Sequence, residues 1–287
     1  MDNLDTPGRV VAWYRANQRD LPWREAGTTP WGVLVSEVMS HQTPVARVSG
    51  PWRDWMATWP TPAALADAST ADVLRAWGRL GYPRRALRLQ DAAHAIVQRH
   101  DGVVPDDLDD LRALPGVGEY TASAVLAFAF GRRVVMLDTN VRRVLARLIE
   151  GTDRPTGTIT TAERQTAAVL LPEDEQEAAA WSVAVMELGA LVCTARRPAC
   201  DACPVADRCA WLAGGRPESG VRTRSQAWHG TNRQCRGAIM AALRASSEPV
   251  PLSDIAWPDP EQLSLAARTL VHDGLATELS GALALPD

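Results

Sequence analysis

Four of the five cysteines fall in one short run, Cys193, Cys200, Cys203 and Cys209, separated by six, two and five residues. Thiols gathered so tightly converge on something. The opening Met1-Asp2-Asn3-Leu4-Asp5 lacks the basic-then-apolar pattern of a secretion signal, which disfavours disulfides and leaves metal as the leading reading. Four thiolates suit tetrahedral zinc or a 4Fe–4S cluster, and spacing alone does not separate the two. Zinc usually prefers two short knuckles, whereas only Cys200 and Cys203 form one here. Cys235 stands apart and reads as a buried apolar filler.

Two carboxylates and a turn add further chemistry. Glu37 interrupts the apolar run Trp31–Met39. Buried on such a helix, it would stay partly protonated and act as a general acid near neutral pH; on an exposed stripe it would be an ordinary surface glutamate. Asp138 stands just before the helical pattern of Val141–Ile149, where it reads as an N-cap, a place that also suits an ionised carboxylate facing a developing cation. Two carboxylates with opposite protonation preferences are what cleavage of a glycosidic bond through an oxocarbenium-like state needs. Between them, Pro115-Gly116-Val117-Gly118 joins a helical Asp109–Leu114 to a helix from Glu119, a helix–hairpin–helix. Its glycines let backbone amides approach a phosphate at a helix N-terminus, although the same turn serves an ordinary helical hairpin.

The elements that must position these groups are helical. Apolar residues recur at three- and four-residue spacing in Val10–Tyr14, Leu65–Leu80, Leu87–Val97, Ser123–Phe130, Val141–Ile149 and Trp181–Leu191. Alternating strand patterns are nearly absent before residue 270. A Gly-, Arg- and Ser-rich stretch from Leu212 to Gln226 reads as a linker, and 231–287 as a small unit with helices at Arg236–Leu243, Leu252–Ile255 and Glu261–Val271. A hairpin pairing Leu270–Thr277 with Gly281–Leu285 would make this unit a winged-helix-like module.

Composition bounds the rest. A chain of 287 residues with 46% hydrophobic content builds roughly two domains with folded cores, and no apolar stretch reaches membrane-spanning length. A soluble, cytoplasmic protein is expected. The formal charge of −4 gives no global basic field, so nucleic-acid affinity would rest on local patches. All 30 basic residues are arginine, which excludes lysine chemistry.

Taken together, Leu114-Pro115-Gly116-Val117-Gly118, the downstream Asp138 and the 6-2-5 cysteine spacing resemble the helix–hairpin–helix DNA glycosylases of the endonuclease III type, over about residues 8–213. Leu21-Pro22-Trp23-Arg24, Ser36–Met39, Gln42-Thr43, Leu80-Gly81-Tyr82, Asp138–Val141 and Met186–Ala190 are similar to the MutY branch, the adenine glycosylases. The resemblance implies a mainly α fold. A six-helix barrel with the hairpin would occupy 21–129, a 4Fe–4S cluster domain 1–20 and 130–213, a linker 214–230, and the winged-helix-like module 231–287, with the active site between barrel and cluster domain.

By the same resemblance, Glu37 would protonate the leaving adenine, Asp138 would stabilise the sugar cation, and Tyr120 and Asn140 would support both. In relatives that also cut the strand, the position matching Tyr120 carries a Schiff-base lysine, so a tyrosine implies simple hydrolysis. Arg19, Leu21, Trp23, Arg24, Ser40, Val45 and Glu187 would line the adenine pocket. Gln42, Thr43 and Tyr82 would meet the duplex, the first and last as wedges beside the opposite base, with Gly116, Val117 and Gly118 contacting phosphate. Arg84, Arg85, Arg142 and Arg143 would add phosphate contacts, and the cluster would orient a basic loop around Arg196 and Arg197.

Three features depart from the branch. Ser40-His41 stands where leucine and glutamine are usual, Ser182-Val183 replaces asparagine and glutamine, and the 57 residues from 231 to 287 are too few for the Nudix-like domain that many members carry. The expected activity is monofunctional excision of adenine opposite 8-oxoguanine or guanine. The expected partner is double-stranded DNA with a mispaired or damaged base, bound by a monomer at the nucleoid and with no membrane involved. The alternatives are a same-fold glycosylase for thymine or uracil opposite guanine, and a non-catalytic DNA-damage-binding protein.

Overall fold

A computed structural model describes residues 6–155, 157–218 and 229–287. The opening pentapeptide and residues 219–228 of the expected linker lie outside the described residues. In chain order the α-helices are α1 Thr6–Asn17, α2 Pro30–Ser40, α3 Ser49–Thr58, α4 Pro62–Ala66, α5 Thr70–Trp77, α6 Arg84–Arg99, α7 Leu108–Arg112 and α8 Glu119–Phe130. They continue with α9 Thr139–Leu145, α10 Thr161–Leu170, α11 Glu175–Leu191, α12 Ala210–Ala213, α13 Asn232–Ala245 and α14 Pro260–His272. Three short strands, β1 Val250–Pro251, β2 Thr277–Leu279 and β3 Ala282–Ala284, complete the chain. No helix among the described residues is long and apolar enough to cross a membrane.

Side-chain caps explain most of these starts. Thr61, Ser69, Asp107, Asp138, Asp174, Thr231 and Asp259 each accept from a backbone amide one turn on, and Thr160 with Glu163 forms a reciprocal capping box. The same caps account for departures from periodicity. Leu65–Leu80, expected as one helical block, is two helices because Ser69 starts a new one. The run through Ile149 leaves α9 for a π-helical turn at Ala146–Glu150. Helices α3 and α10 are absent from the periodic reading; α10 is marked by its capping box, while α3 starts without a side-chain cap.

Contacts divide the chain into two units. The first comprises 1–37, 105–113 and 117–222. Here α11 packs on both α1 and α9 around Val10, Val141, Leu145, Trp181, Ala184 and Leu188. Helix α8 is lined by buried residues from Thr121 to Ala127, consistent with its small and apolar side chains.

The second unit comprises 38–104, 114–116 and 223–287. Its core includes Trp55, which meets Trp59 and Trp77 edge-on with ring centroids 4.7 and 5.6 Å apart. The C-terminal residues add α13 packed on α14 and on α5, with Cys235 fully buried as a filler. The antiparallel sheet runs β1-β3-β2, with Val250 opposite Leu283 and Thr277 opposite Ala284. The wing is therefore shorter than expected. Leu270–His272 belongs to α14, Gly274 with φ +69° turns the chain, and a third strand at Val250–Pro251 joins the hairpin.

Candidate active site

Glu37 sits near the end of α2 among residues buried on every side, and only 8% of it is exposed. The exposed-stripe alternative is thereby excluded. Burial pushes its carboxyl up to about 7, with the charge of Asp138 pushing the same way, while the hydroxyl of Tyr120 and the charge of Arg24 pull it down. That hydroxyl donates to Glu37 Oε2 at 3.0 Å and lies 3.6 Å from Met186 Sδ. The Tyr120 phenol stays far above its ordinary 10, through burial and then through the charges of Glu37 and Asp138, so it remains a donor.

Asp138 caps α9, accepting from the Val141 amide at 2.6 Å through Oδ1 and from Asn140 Nδ2 at 2.8 Å through Oδ2. Burial raises its carboxyl above the ordinary 3.8, opposed by those two donors and by Arg143. Asn140 is held in turn: Arg143 donates to its Oδ1 at 2.7 Å, to the Gly189 carbonyl at 2.6 Å and, through Nε, to the Cys193 carbonyl at 2.7 Å. One guanidinium thus ties the backbone of the first cysteine to the asparagine that orients Asp138.

Helix α11 comes so close to Asn140 that a Cβ on Gly189 would lie 2.8 Å from the Asn140 Cβ and 2.9 Å from its carbonyl oxygen. Gly189→Ala is expected to push Asn140 aside and cut excision on the order of tenfold to a hundredfold, read by single-turnover kinetics. A parent-like rate would mean that the Asn140–Asp138 geometry is immaterial.

Glu187, expected to face adenine, is fully buried and occupied. Its Oε1 accepts from the Arg19 amide at 3.0 Å, Arg19 Nε at 2.9 Å and Arg24 at 3.1 Å; its Oε2 accepts from the same two guanidiniums at 2.6 and 3.0 Å. Burial alone would raise this carboxyl, yet the arginine donors outweigh it and hold it at about 2. Glu187 is an anchor for Arg19 and Arg24, and Arg24 stacks 5.4 Å from the centroid of the Tyr14 ring. Leu21 is buried and Trp23 half-buried beside them in sequence. Ser40 and Val45 belong to the second unit, both half-buried.

Also in the second unit, Gln42 and Tyr82 share an unusual backbone, with φ of +54° and +47°. Non-glycine residues rarely occupy this left-handed region, and both are exposed. Thr43 is buried and donates to the Leu80 carbonyl at 3.1 Å, so it braces the loop rather than facing solvent. Arg85 reaches the carbonyls of Val38, Met39 and Gly81 and the Thr43 hydroxyl at 2.7 to 3.1 Å. His41 is half-buried, its charged form disfavoured by burial and then by Arg85.

Phosphate contacts from three arginines are corrected as well. Arg85 serves backbone carbonyls, Arg142 pairs with Glu163 at 2.9 Å, and Arg143 is held by Asn140, Gly189 and Cys193. Arg84 stays exposed. In the hairpin, Gly116 has φ +77°, and a Cβ there would meet Arg88 Cβ at 2.8 Å; Val117 is buried and Gly118 is exposed at the start of α8. The backbone of the turn, not the Val117 side chain, is what solvent meets.

Cys193, Cys200, Cys203 and Cys209 line one cavity with Arg147 and Trp211, and none is in a disulfide. Among the described residues no group of three His, Cys, Asp or Glu is drawn together for a single ion. Four thiols lining one cavity suit a 4Fe–4S cluster, in which each sulfur would meet its own iron. Arg147 adds a cation, its Nη1 3.3 Å from Cys193 Sγ. The purified protein is expected to be coloured by sulfur-to-iron absorbance and to lose that colour in Cys203→Ser; a colourless, zinc-containing protein would contradict this.

The hairpin and the buried carboxylate pair define a helix–hairpin–helix glycosylase. Residues 35–168 match the helix–hairpin–helix GPD superfamily of base excision DNA repair proteins, and 193–209 match the iron–sulfur binding domain of endonuclease III. The chain is 51% identical over 282 residues to an adenine DNA glycosylase of Mycobacterium tuberculosis, spanning 96% of this chain and 92% of that protein. It is 37% identical to a thymine/uracil-DNA glycosylase of Pyrobaculum aerophilum, over 69% of this chain and 87% of the relative. A solved thermostable thymine-DNA glycosylase shares the fold, with a TM-score of 0.68 at 23% identity, covering 74% of this chain and 97% of that one. The protein belongs to the adenine DNA glycosylase family within this superfamily, enzymes that hydrolyse N-glycosidic bonds and bind a 4Fe–4S cluster.

Proposed function

We propose that this protein excises adenine mispaired with 8-oxoguanine or guanine from double-stranded DNA by simple hydrolysis, as a monomer working at the nucleoid. The observation that carries the reading is the Tyr120 hydroxyl on Glu37, with Asp138 close enough for its charge to act on both. Glu37, half protonated near pH 7, gives its proton to a ring nitrogen of the departing base. Asp138, fixed by Val141 and Asn140, faces the positive charge that grows on the sugar. Water then adds to the sugar, because no lysine exists in the chain to form a Schiff base. Cys193, Cys200, Cys203 and Cys209 would hold the 4Fe–4S cluster, which would tie their loop together.

A pH profile tests the pair. Excision is expected to fall about tenfold per unit above pH 7, as Glu37 loses its proton. The acid limb lies above 3.8, where Asp138 becomes neutral. A rate flat from pH 6 to 9 at a chemistry-limited step would exclude Glu37 as the acid.

A second reading is favoured by Ser40-His41 and by the thymine/uracil relative: removal of thymine or uracil opposite guanine. A panel of A:8-oxoguanine, A:G, T:G and U:G duplexes decides between them. Adenine release alone supports the proposal, pyrimidine release the second reading, and no release with tight binding a damage sensor.

A further inference from the structure

In the second unit the guanidinium of Arg85, at the start of α6, holds three separate stretches of chain. Its Nη1 donates to the carbonyls of Val38 and Met39 at 2.7 and 3.1 Å, in the last turn of α2, where a helix leaves its carbonyls without intrahelical partners. Its Nη2 donates to the Thr43 hydroxyl at 2.9 Å and to the carbonyls of Leu80 and Gly81 at 3.3 and 3.0 Å. Thr43 closes the ring, donating to the same Leu80 carbonyl at 3.1 Å. The guanidinium carbon also lies 5.1 Å from the centroid of the buried Trp77 ring and 5.7 Å from that of Tyr82. Arg85 Nε is buried without an acceptor among the described residues, a cost that the Nη contacts must outweigh.

The residues enclosed by these contacts are the two strained ones. Gln42 lies between Met39 and Thr43, Tyr82 directly follows Gly81, and both have the left-handed backbone that a non-glycine residue keeps only when its surroundings impose it. Arg85 thus grips the chain on both sides of Gln42 and immediately before Tyr82. We propose that Arg85 is a positioning residue for base extrusion, clamping the Gln42 and Tyr82 loops in the backbone shape that enters the duplex. The inference rests on the reading that these two residues are wedges beside the target base. A wedge formed in advance spares the cost of ordering it on entry, so loosening it slows extrusion. Glu37 keeps its own partner in Tyr120.

The test is stopped-flow fluorescence of the full-length protein. Its duplex carries an adenosine whose 2′-fluoro sugar resists hydrolysis, opposite 8-oxoguanine or guanine, with 2-aminopurine beside it to report unstacking. At saturating protein the rate constant of the fluorescence rise is independent of how much of a preparation is folded, so a merely structural role leaves it unmoved. Melting curves report folding.

Arg85→Gln is expected to lower that rate constant about tenfold, within the factor by which one strained residue disfavours its conformation. Arg85→Lys keeps the charge and the stem but cannot fork across the same acceptors, and a drop of about threefold is expected. Parent-like unstacking in Arg85→Gln overturns the proposal; if that form does not fold, parent-like unstacking in Arg85→Lys does so. Excision by the parent on the duplex panel is scored separately. A parent that excises adenine while its variants unstack at the parent rate keeps the function and loses the role of Arg85, whereas a parent that neither unstacks nor excises loses both.

Discussion

Glu37→Gln is expected to lower excision by about 10²–10⁴-fold, the usual share of a positioned general acid, while duplex affinity stays within a few-fold of the parent. The amide fills the same volume in a site with 8% exposure, and its carbonyl still accepts from Tyr120, so the geometry persists without the proton. Stability should not suffer. A carboxyl raised to about 7 by folding makes the native state lose stability as pH climbs from 4.5 to 7, because the buried group must ionise. The amide never ionises, so above pH 7 the variant should be at least as stable as the parent. Single-turnover excision and binding to an abasic-analogue duplex, run together, separate lost chemistry from lost binding. Parent-like excision would remove Glu37 from the mechanism.

Glu187→Ala is expected to be the most damaging change outside the chemistry. Both carboxylate oxygens are fully buried against Arg19 and Arg24, whose side chains are only 31% and 16% exposed. Deleting the anion leaves two partly buried cations facing each other, a change that typically costs about 3–5 kcal/mol. Lowering the carboxyl from 4.5 to about 2 corresponds to about 3 kcal/mol of stability. Because folding depresses this group, the contribution is fully present above pH 4.5 and disappears as pH falls through about 2. Urea denaturation of parent and variant at pH 7 and again near pH 3 reads both effects. A loss at pH 7 below 1 kcal/mol would mean that Arg19 and Arg24 relax into solvent without their partner. Excision should also fall, since Arg24 acts on the charge of Glu37.

The 6-2-5 cysteine spacing, the Pro-Gly-Val-Gly turn and the cap at Asp138 were legible because each is local. A few consecutive residues contain both the group and its partner. For the same reason the helical architecture and the resemblance to adenine glycosylases followed from short motifs. Partners distant in sequence were not legible. The ion pairs that Arg19 and Arg24 make with Glu187, more than 160 positions away, follow from no local motif. The arginines at 85, 142 and 143 have the look of phosphate contacts until backbone carbonyls and Glu163 engage them.

Sequence by itself determined which side chains can do the chemistry: one carboxylate in an apolar helix, one at a helix start, a tyrosine in place of a lysine, and four clustered thiols. Tertiary structure alone decided their states. It buried Glu37 and raised its carboxyl, pressed Gly189 against Asn140, joined Cys193 to Asp138 through Arg143, and tied the loops of Gln42 and Tyr82 together through Arg85. Desolvation and hydrogen bonding depend on what surrounds a group in space. A chain read in order states only its neighbours along the backbone.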